Sequence, residues 1–417
     1  MAQLSDDCFA AGEAPMTIEE AVALVERRVC TVAGIETVPL ARADGRISAV
    51  DVRTPGDLPP FDNSAVDGYA VRHAALAPDR ETVLPLGGRL TAGVSAEGVL
   101  AGDTAVRIFT GAPMPRDADT VFMQEDVRAE GSRIALPPGL KPGANRRRAG
   151  EDVSRGDLVI PAGRRLRPQD LALAAATGFE GLAVRSPLRV ALFSTGDELT
   201  DPGTVLRPGA IHDSNRVMLG ALLRRLGVAV ADLGILRDEP EPLARRLAAA
   251  AEDHDLIVTS GGVSVGEEDH VKAAVEAVGR LSFWRLAIRP GRPVAMGQIG
   301  RKPFVGLPGN PVAAYVTLLF VVRPLIARLA GQTLAPPTPQ PVRAAFGYRK
   351  KPGRREYLRV SVAPGADGVV EAQKYPKDGS AALTSLTESD GLAELLDDAT
   401  GVSQGDTIRF YPHALLW

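Results

Sequence analysis

The sequence predicts a multidomain α/β protein: a doubly wound α/β domain, mostly-β N-terminal and inserted domains, and a small C-terminal β domain. Its 417 residues exceed the size of one ordinary domain. Residues 38 to 156 and 342 to 417 consist of short β-prone segments broken by glycine and proline, which favours small sheets. Between them, from residue 188, apolar strands alternate with amphipathic helices, the pattern of a doubly wound sheet.

The N-terminal region is predicted to be one domain interrupted by an insertion. An amphipathic helix over 17–29 opens it, with Thr17 as N-cap and Glu20 three residues later, the spacing of a capping box. A second helix over 166–178, with Pro168 near its start, closes it. The predicted limits are 16–58 with 143–186 for the N-terminal domain, and 59–142 for the inserted β-rich domain.

The α/β alternation predicts the next domain. Buried strands alternate with helices, and the helix SNRVMLGALLRRLG begins at Ser214, a residue type that can cap it. Four prolines within 335–341 predict a stiff linker. The predicted limits are 187–334 for the α/β domain and 335–417 for a β domain of sandwich or barrel type.

Composition excludes several classes of protein. The formal net charge of −3 provides no global basic field for nucleic acid or anionic lipid. Two cysteines, Cys8 and Cys30, exclude a disulfide framework and a cysteine-rich metal site. The start MAQLSDDCFA has no signal-peptide pattern, and the longest apolar run, 312–322, is shorter than the roughly 20 residues that cross a bilayer. We expect a cytoplasmic protein with neither a nucleic-acid nor a membrane partner.

Two loops combine acids with small residues, and each also has a plain structural explanation. In 59–71, Asp62 and Asp67 surround an Asn-Ser pair, which could equally form an Asx-rich turn without function. In 194–199, STGDEL follows a buried strand and presents hydroxyl and backbone donors before Glu198. Helix capping is the alternative there.

The loop 260–270, SGGVSVGEEDH, is more specific because it follows a buried strand and precedes a helix. Open α/β sheets bind ligands at that edge. Gly261, Gly262 and Gly266 would let a phosphate approach the backbone, and Ser264 would donate to it. Asp269 would hold a hard cation. A structural glycine turn is the alternative.

Two further segments predict an anion site in the same cleft. GLPGNPVAA at 306–314 also joins a short apolar strand to a helix, and Arg285, Arg289 and Arg292 cluster around Gly291 between apolar strands. The five histidines show no paired metal-ligand spacing, and no G-x-S-x-G is present. Carboxylates, glycine loops and arginines together indicate Mg²⁺ acting with phosphates and oxyanions.

Seven strings occur in order: PPFDNSAVDGYAV, RIFTGAPMP, NRRRAGEDV, VALFSTGDEL, SGGVSVGEEDH, AIRPGRP and GLPGNPVAAYV. With them the chain resembles, from about residue 16 to 413, the MoeA family of molybdopterin molybdenumtransferases, which is related to the C-terminal domain of gephyrin. The resemblance implies insertion of molybdenum from molybdate into adenylylated molybdopterin (molybdopterin-adenylate), with Mg²⁺ and release of AMP. It also implies a homodimer whose cleft lies between subunits.

The resemblance assigns roles residue by residue. The catalytic set implied by the motifs is Asp67, Thr110, Asp152, Glu198, Asp238 and Asp269, of which Glu198, Asp238 and Asp269 would hold Mg²⁺. The implied substrate-binding set is Ser260, Gly261, Gly262, Ser264, Gly266, Arg289, Pro290, Arg292, Pro308, Gly309, Asn310, Arg359 and Ser380.

This chain departs from the family at the basic stretch, where the family commonly has lysines and this chain has Arg285, Arg289 and Arg292. Arginine keeps the charge and binds an oxyanion in fork geometry, but it does not replace a compact ammonium. Two other functions stay open: the preceding molybdopterin adenylyltransferase step, and a non-catalytic scaffold of the gephyrin type. The long β segments at both ends argue against the adenylyltransferase.

Overall fold

The computed structural model describes residue 9 and residues 14–99, 101–261, 270–291 and 293–416. The first helix, α1 (Ile18–Arg28), begins as predicted. Thr17 Oγ1 accepts a hydrogen bond from the Glu20 backbone N–H at 3.2 Å, and the Glu20 carboxylate accepts one from the Thr17 N–H at 2.8 Å. The predicted capping box is therefore confirmed.

The mostly-β N-terminal region is built around a sheet with strand order β7-β4-β6-β5-β9-β8. Three antiparallel pairs, β1 with β12, β2 with β11 and β3 with β10, join the segments before and after that sheet. This pairing is what an insertion requires, and the exact limits 59 and 142 stay a prediction. The elements are β1 (Ile35–Pro39), β2 (Val52–Arg53), β3 (Asn63–Ser64), β4 (Gly68–Val71), β5 (Thr82–Leu90), β6 (Ala105–Ile108), β7 (Thr120–Met123), β8 (Arg128–Glu130), β9 (Arg133–Leu136), β10 (Arg146–Arg147), β11 (Leu158–Ile160), α2 (Pro168–Ala176) and β12 (Gly181–Arg185).

The α/β region has strand order β16-β13-β17-β21-β20-β18, with β16, β13, β17 and β21 parallel and β20 and β18 antiparallel. Helices α4 and α5 cover one face of the sheet, and α3 and α6 cover the other. The elements are β13 (Arg189–Thr195), β14 (Leu199–Thr200), β15 (Ile211–His212), α3 (Ser214–Arg225), β16 (Ala229–Leu236), α4 (Pro240–Asp253), β17 (Leu256–Ser260), α5 (His270–Val278), β18 (Gly279–Arg285), β19 (Ile288–Arg289), β20 (Pro293–Ile299), β21 (Lys302–Leu307), α6 (Pro311–Thr317) and α7 (Arg323–Ala330).

One local prediction in this region is wrong. Helix α3 is capped by Asp213, whose carboxylate accepts from the Arg216 backbone N–H at 3.2 Å, and Ser214 is already helical. The carboxylate also pairs with the Arg216 guanidinium at 2.8 Å. An aspartate that can serve both groups outcompetes the neighbouring serine as a cap.

A long apolar helix crosses the α/β core. Its 20 residues, Pro311–Ala330, include a π-helical turn at Leu318–Val322 and exceed the apolar run recognised in the sequence. By length and composition it could cross a membrane, but 83% of its most apolar window is buried inside the protein. It therefore acts here as the central core helix.

The C-terminal sheet has strand order β19-β24-β25-β22-β28-β26, with a further β24–β26 pairing. Strand β19 comes from the α/β region and pairs in parallel with β24, placing Arg289 opposite Glu356. The elements are β22 (Gln340–Ala344), β23 (Tyr348–Arg349), β24 (Arg355–Pro364), β25 (Val370–Lys374), α8 (Thr384–Thr387), β26 (Gly391–Leu395), β27 (Gly401–Val402) and β28 (Thr407–Pro412). The additional β24–β26 pairing makes this sheet close on itself as a small barrel.

Candidate functional site

The carboxyl ends of two parallel strands define the first part of the site. Strands β13 and β17 lie in register, with Ser194 opposite Ser260, so their following loops emerge at one edge. Gly261 has φ +85°, and a Cβ there would lie 2.8 Å from the Thr195 carbonyl oxygen. Glycine at this position is therefore required for the close approach of the two loops, which is the structural alternative to a phosphate contact, and the binding role of Gly261 stays a prediction.

Carboxylates gather beside this edge. Glu198 lies over Gly196, where a Cβ would be 2.7 Å from Glu198 Oε2. Burial raises the pKa of Asp238, and the charges of Asp197 and Glu198 raise it further, while the charge of His270 opposes the shift. The predicted residues Glu198 and Asp238 therefore lie close enough for the charge of one to affect the pKa of the other.

The oxygen atoms of this carboxylate group provide some, but not all, of the ligands that Mg²⁺ would need. Asp238 Oδ1 is buried without a hydrogen-bond partner, as is Thr195 Oγ1, and unpaired buried oxygens beside other carboxylates are suitable ligands for Mg²⁺. Within the described residues, no three His, Cys, Asp or Glu side chains are close enough to hold a metal ion. Asp269, the third predicted ligand, lies outside the described residues, so Glu198 and Asp238 are two members of the expected set.

A cavity of about 540 Å³ lies between the α/β region and the C-terminal sheet. Many of the predicted substrate-binding residues line it together, although they come from four separate segments. They are Arg289, Pro290, Pro308, Gly309, Asn310, Arg359 and Ser380. We call this cavity the arginine pocket, because Arg289, Arg354 and Arg359 line it with the two carboxylates of Glu356 and Asp378.

Arg289 is held at the wall of the arginine pocket. Its Nη1 lies 3.4 Å from Tyr348 Oη and 3.6 Å from Glu356 Oε2. Tyr348 donates its hydroxyl to Glu356 at 2.9 Å, and Arg354 pairs with the same carboxylate at 3.2 Å. Glu356 is 1% exposed, whereas the Arg289 side chain is 46% exposed. Burial and the bond to Glu356 raise the pKa of Tyr348 to about 12, so its hydroxyl keeps its proton.

Arg359 also lines the arginine pocket. It is buried and donates to the backbone oxygens of Lys377 at 3.0 Å and Gly379 at 3.2 Å. The Ser380 carbonyl in turn accepts from the Val312 N–H at 3.0 Å, at the start of α6. Arg359 therefore fixes the loop that carries Ser380, in addition to bringing charge to the pocket.

Sequence reasoning missed Asn215, which links the two parts of the site. Its Nδ2 donates to Ser260 Oγ at 2.8 Å and to the Gly309 carbonyl at 2.7 Å, while its Oδ1 is buried without a partner. The only signal in the sequence is its place at the start of a helix that follows the sheet edge. Tyr348, Arg354 and Glu356 were also missed, since their roles depend on the pairing of β19 with β24.

The remaining predicted residues lie on the β-rich region. Thr110 donates from both its backbone N–H and its hydroxyl to Asp67 Oδ1, each at 2.8 Å, and these bonds lower the pKa of Asp67. Asp152 is exposed on the turn after β10. In the described part of the chain no hydrogen bond joins Asp67 to Glu198. Gly262, Ser264, Gly266 and Arg292 lie, like Asp269, outside the described residues.

The fold and the site define a multidomain α/β protein in which an arginine-lined pocket adjoins a carboxylate-bearing sheet edge. Family models match three successive parts of the chain: the MoeA N-terminal region (domain I and II) over 16–178, a probable molybdopterin binding domain over 191–328, and the MoeA C-terminal region (domain IV) over 341–413.

Similar proteins cover nearly the whole chain. A Haemophilus influenzae protein named molybdopterin molybdenumtransferase is 40% identical, over 90% of this chain and 93% of its own. Molybdopterin molybdenumtransferase 2 of Mycobacterium tuberculosis is 35% identical, over 90% of this chain and 94% of its own. A crystal structure of the molybdopterin biosynthesis MoeA protein of Pyrococcus horikoshii matches with a TM-score of 0.81 at 28% identity, covering 95% of this chain and 100% of that one. The chain belongs to the MoeA family of molybdopterin molybdenumtransferases.

Proposed function

We propose that this protein transfers molybdenum from molybdate to adenylylated molybdopterin and releases AMP, in the biosynthesis of the molybdenum cofactor. The observation that carries the proposal is the arginine pocket, where residues from the α/β region and from the C-terminal sheet converge. Molybdate is a tetrahedral dianion, and charged hydrogen bonds from planar guanidinium groups bind such oxyanions well. The pocket offers Arg289 and Arg359 for this purpose, with Ser380 as a further donor.

The adjacent sheet edge is suited to the adenylate. Ser260 ends a parallel strand at the edge where open α/β sheets bind phosphate, and its hydroxyl accepts from Asn215 while keeping its own proton to donate. The Gly261 N–H already donates to the Leu307 carbonyl oxygen at 3.2 Å, so glycine serves the close approach of the backbone there. Asn215 connects this edge to Gly309 in the arginine pocket, so the phosphate site and the oxyanion site are held at a fixed separation. Substrate and molybdate bound at these two places would be oriented by the same side chain.

Glu198 and Asp238 would hold Mg²⁺ together with Asp269. A bound Mg²⁺ would neutralise phosphate charge and polarise the phosphoanhydride. The chain's own contribution is to hold a partly buried Asp238 near Glu198; burial is the main cause of the raised pKa of Asp238, and the charges of Asp197 and Glu198 add to it. Asp67 and Thr110 belong to the β-rich region, and we propose that they complete the cleft of a second subunit in a homodimer. We further propose that the enzyme acts in the cytoplasm.

Two alternatives are less well supported. An adenylyltransferase of this pathway would need only the α/β domain, whereas the relatives match this chain over 90% of its length, including both β-rich ends. A scaffold of the gephyrin type would not need arginines and carboxylates converging on one cavity.

The direct test incubates the purified protein with adenylylated molybdopterin, molybdate and Mg²⁺ and measures AMP. We expect AMP release that depends on molybdate and on Mg²⁺, and loss of most of it in Arg289→Ala. Arg349→Ala is the matched control, because Arg349 is the exposed neighbour of Tyr348 and does not line the arginine pocket. Formation of adenylate from ATP without AMP release would contradict the proposal.

A further inference from the structure

A pair of arginines, Arg165 and Arg323, lies outside the arginine pocket. Arg165 follows β11, and Arg323 begins α7. Both are half-buried, and burial lowers the pKa of each, with the charge of Arg165 lowering that of Arg323 further. The positive charge of Arg165 therefore acts on the Arg323 guanidinium.

The acceptors around this pair are neutral. Arg165 donates to the carbonyl oxygens of Gly45 and Leu226, each at 2.8 Å, and to Gln332 Oε1 at 3.0 Å. Within the described residues Arg323 forms neither a hydrogen bond nor an ion pair, and no carboxylate shifts its pKa. Two like charges are unfavourable in a partly buried place, and an anion beside them would relieve that cost.

Arg323 opens onto a cavity of about 420 Å³ between α1, the long core helix and the segment after α7. Gln332, the partner of Arg165, lines the same cavity. Its wall is otherwise mostly apolar, formed by Ile18, Val22, Leu319, Phe320, Pro324, Ala327, Leu334, Pro336 and Pro337. Glu26 and Arg328 stand at its exposed rim. The volume falls within the range of small-molecule sites, roughly 300 to 1,000 Å³.

We propose that this cavity binds a small organic anion, with its phosphate or carboxylate group on Arg323 and its apolar body against α1 and the core helix. Arg165 adds long-range attraction, and Gln332 can turn its amide toward the anion. The chemistry of the site selects a ligand with one charged end and one apolar end, because a fully polar anion would leave the apolar wall in contact with water. This site is separate from the arginine pocket and is not needed for the proposed transfer reaction.

The test uses the full-length protein, with phenyl phosphate, benzoate and inorganic phosphate as probes at an ionic strength matched with sodium chloride. Thermal unfolding and calorimetric titration report binding. We expect phenyl phosphate or benzoate to raise the melting temperature more than inorganic phosphate does, and the preferred probe identifies the anionic group. Arg323→Gln should weaken binding by about tenfold or more, as expected for loss of a charged hydrogen bond.

A second measurement, the melting temperature without ligand, distinguishes a binding role of Arg323 from a structural role. Without ligand, Arg323→Gln should unfold at the same or a higher temperature than the wild type, since it removes a repelled, half-buried charge. The matched control is Arg27→Gln, which makes the same change on the exposed side of α1 and should leave binding unchanged. Retained binding in Arg323→Gln, or no effect of any probe beyond that of chloride, would overturn the proposal. Binding lost in Arg289→Ala but kept in Arg323→Gln would also overturn it, because the anion would then occupy the arginine pocket.

Discussion

Replacing Arg289 by alanine is expected to weaken molybdate binding without unfolding the protein. The variant removes one charged hydrogen-bond donor, worth about 1.5 to 3 kcal/mol, or roughly 10- to 150-fold in a binding constant. Because the side chain is 46% exposed, water screens part of that interaction, and we expect the lower end, about 10- to 30-fold. Glu356 keeps Tyr348 at 2.9 Å and Arg354 at 3.2 Å, so its buried carboxylate stays partnered.

The assay measures AMP release over a series of molybdate concentrations at saturating adenylylated molybdopterin and Mg²⁺. Arg289→Lys keeps the charge and should change the apparent molybdate constant by less than about tenfold. Equal molybdate constants for the alanine variant and the wild type would refute the assignment, as would a change confined to the adenylate. The oxyanion site would then have to lie at Arg359 and Ser380.

Three other outcomes are expected. Burial raises the pKa of Asp238, so the ionised carboxylate destabilises the folded protein at neutral pH. Asp238→Asn should therefore unfold at a higher temperature than the wild type without Mg²⁺, and should lose any stabilisation by Mg²⁺. A lower melting temperature of this variant in Mg²⁺-free buffer would contradict the prediction. When inactive Asp67→Asn subunits are mixed with inactive Glu198→Gln subunits, hybrid dimers with one intact site should restore about a quarter of wild-type activity. No recovery after verified subunit exchange would place each site within one chain. Burial lowers the pKa of His413 below its usual 6.5, so the unfolded chain takes up the proton first as the pH drops below about 6.5, and the free energy of unfolding falls. Denaturant titrations at several pH values should show a smaller fall for His413→Gln. The same dependence of unfolding free energy on pH in this variant and the wild type would disprove the role of this histidine.

Local signals predicted the elements of the fold well. The Thr17 and Glu20 capping box lies within four residues, so chain chemistry alone determines it. The cap of α3 was assigned one residue too late, because the choice of Asp213 depends on where the Arg216 guanidinium lies in the folded protein. Strand partners separated by more than a hundred residues, such as β1 with β12, leave no periodic signature that could be read in advance.

The site divides in the same way. For residues that follow parallel strands, the sequence was enough to predict that they lie close together, because such strands end at one edge of a sheet. Asn215 and Glu356 could not, since one connects two loops across the edge and the other faces Arg289 only through pairing with a strand of another region. A polar residue in a helix and an acidic residue in a strand give no indication in the sequence of which distant residues they contact.

Strand β19 has a consequence for how the protein moves and how it can be cut. Its two residues extend the C-terminal sheet, and the Arg355 N–H also donates to the Ala287 carbonyl at 2.8 Å, so main-chain bonds run continuously from one region into the other. Widening the arginine pocket by a hinge at the proline-rich segment 335–341 would break those bonds. A fragment ending at that segment would expose Ile288 and Arg289 as an unsatisfied strand edge, a template on which fragments would associate with one another.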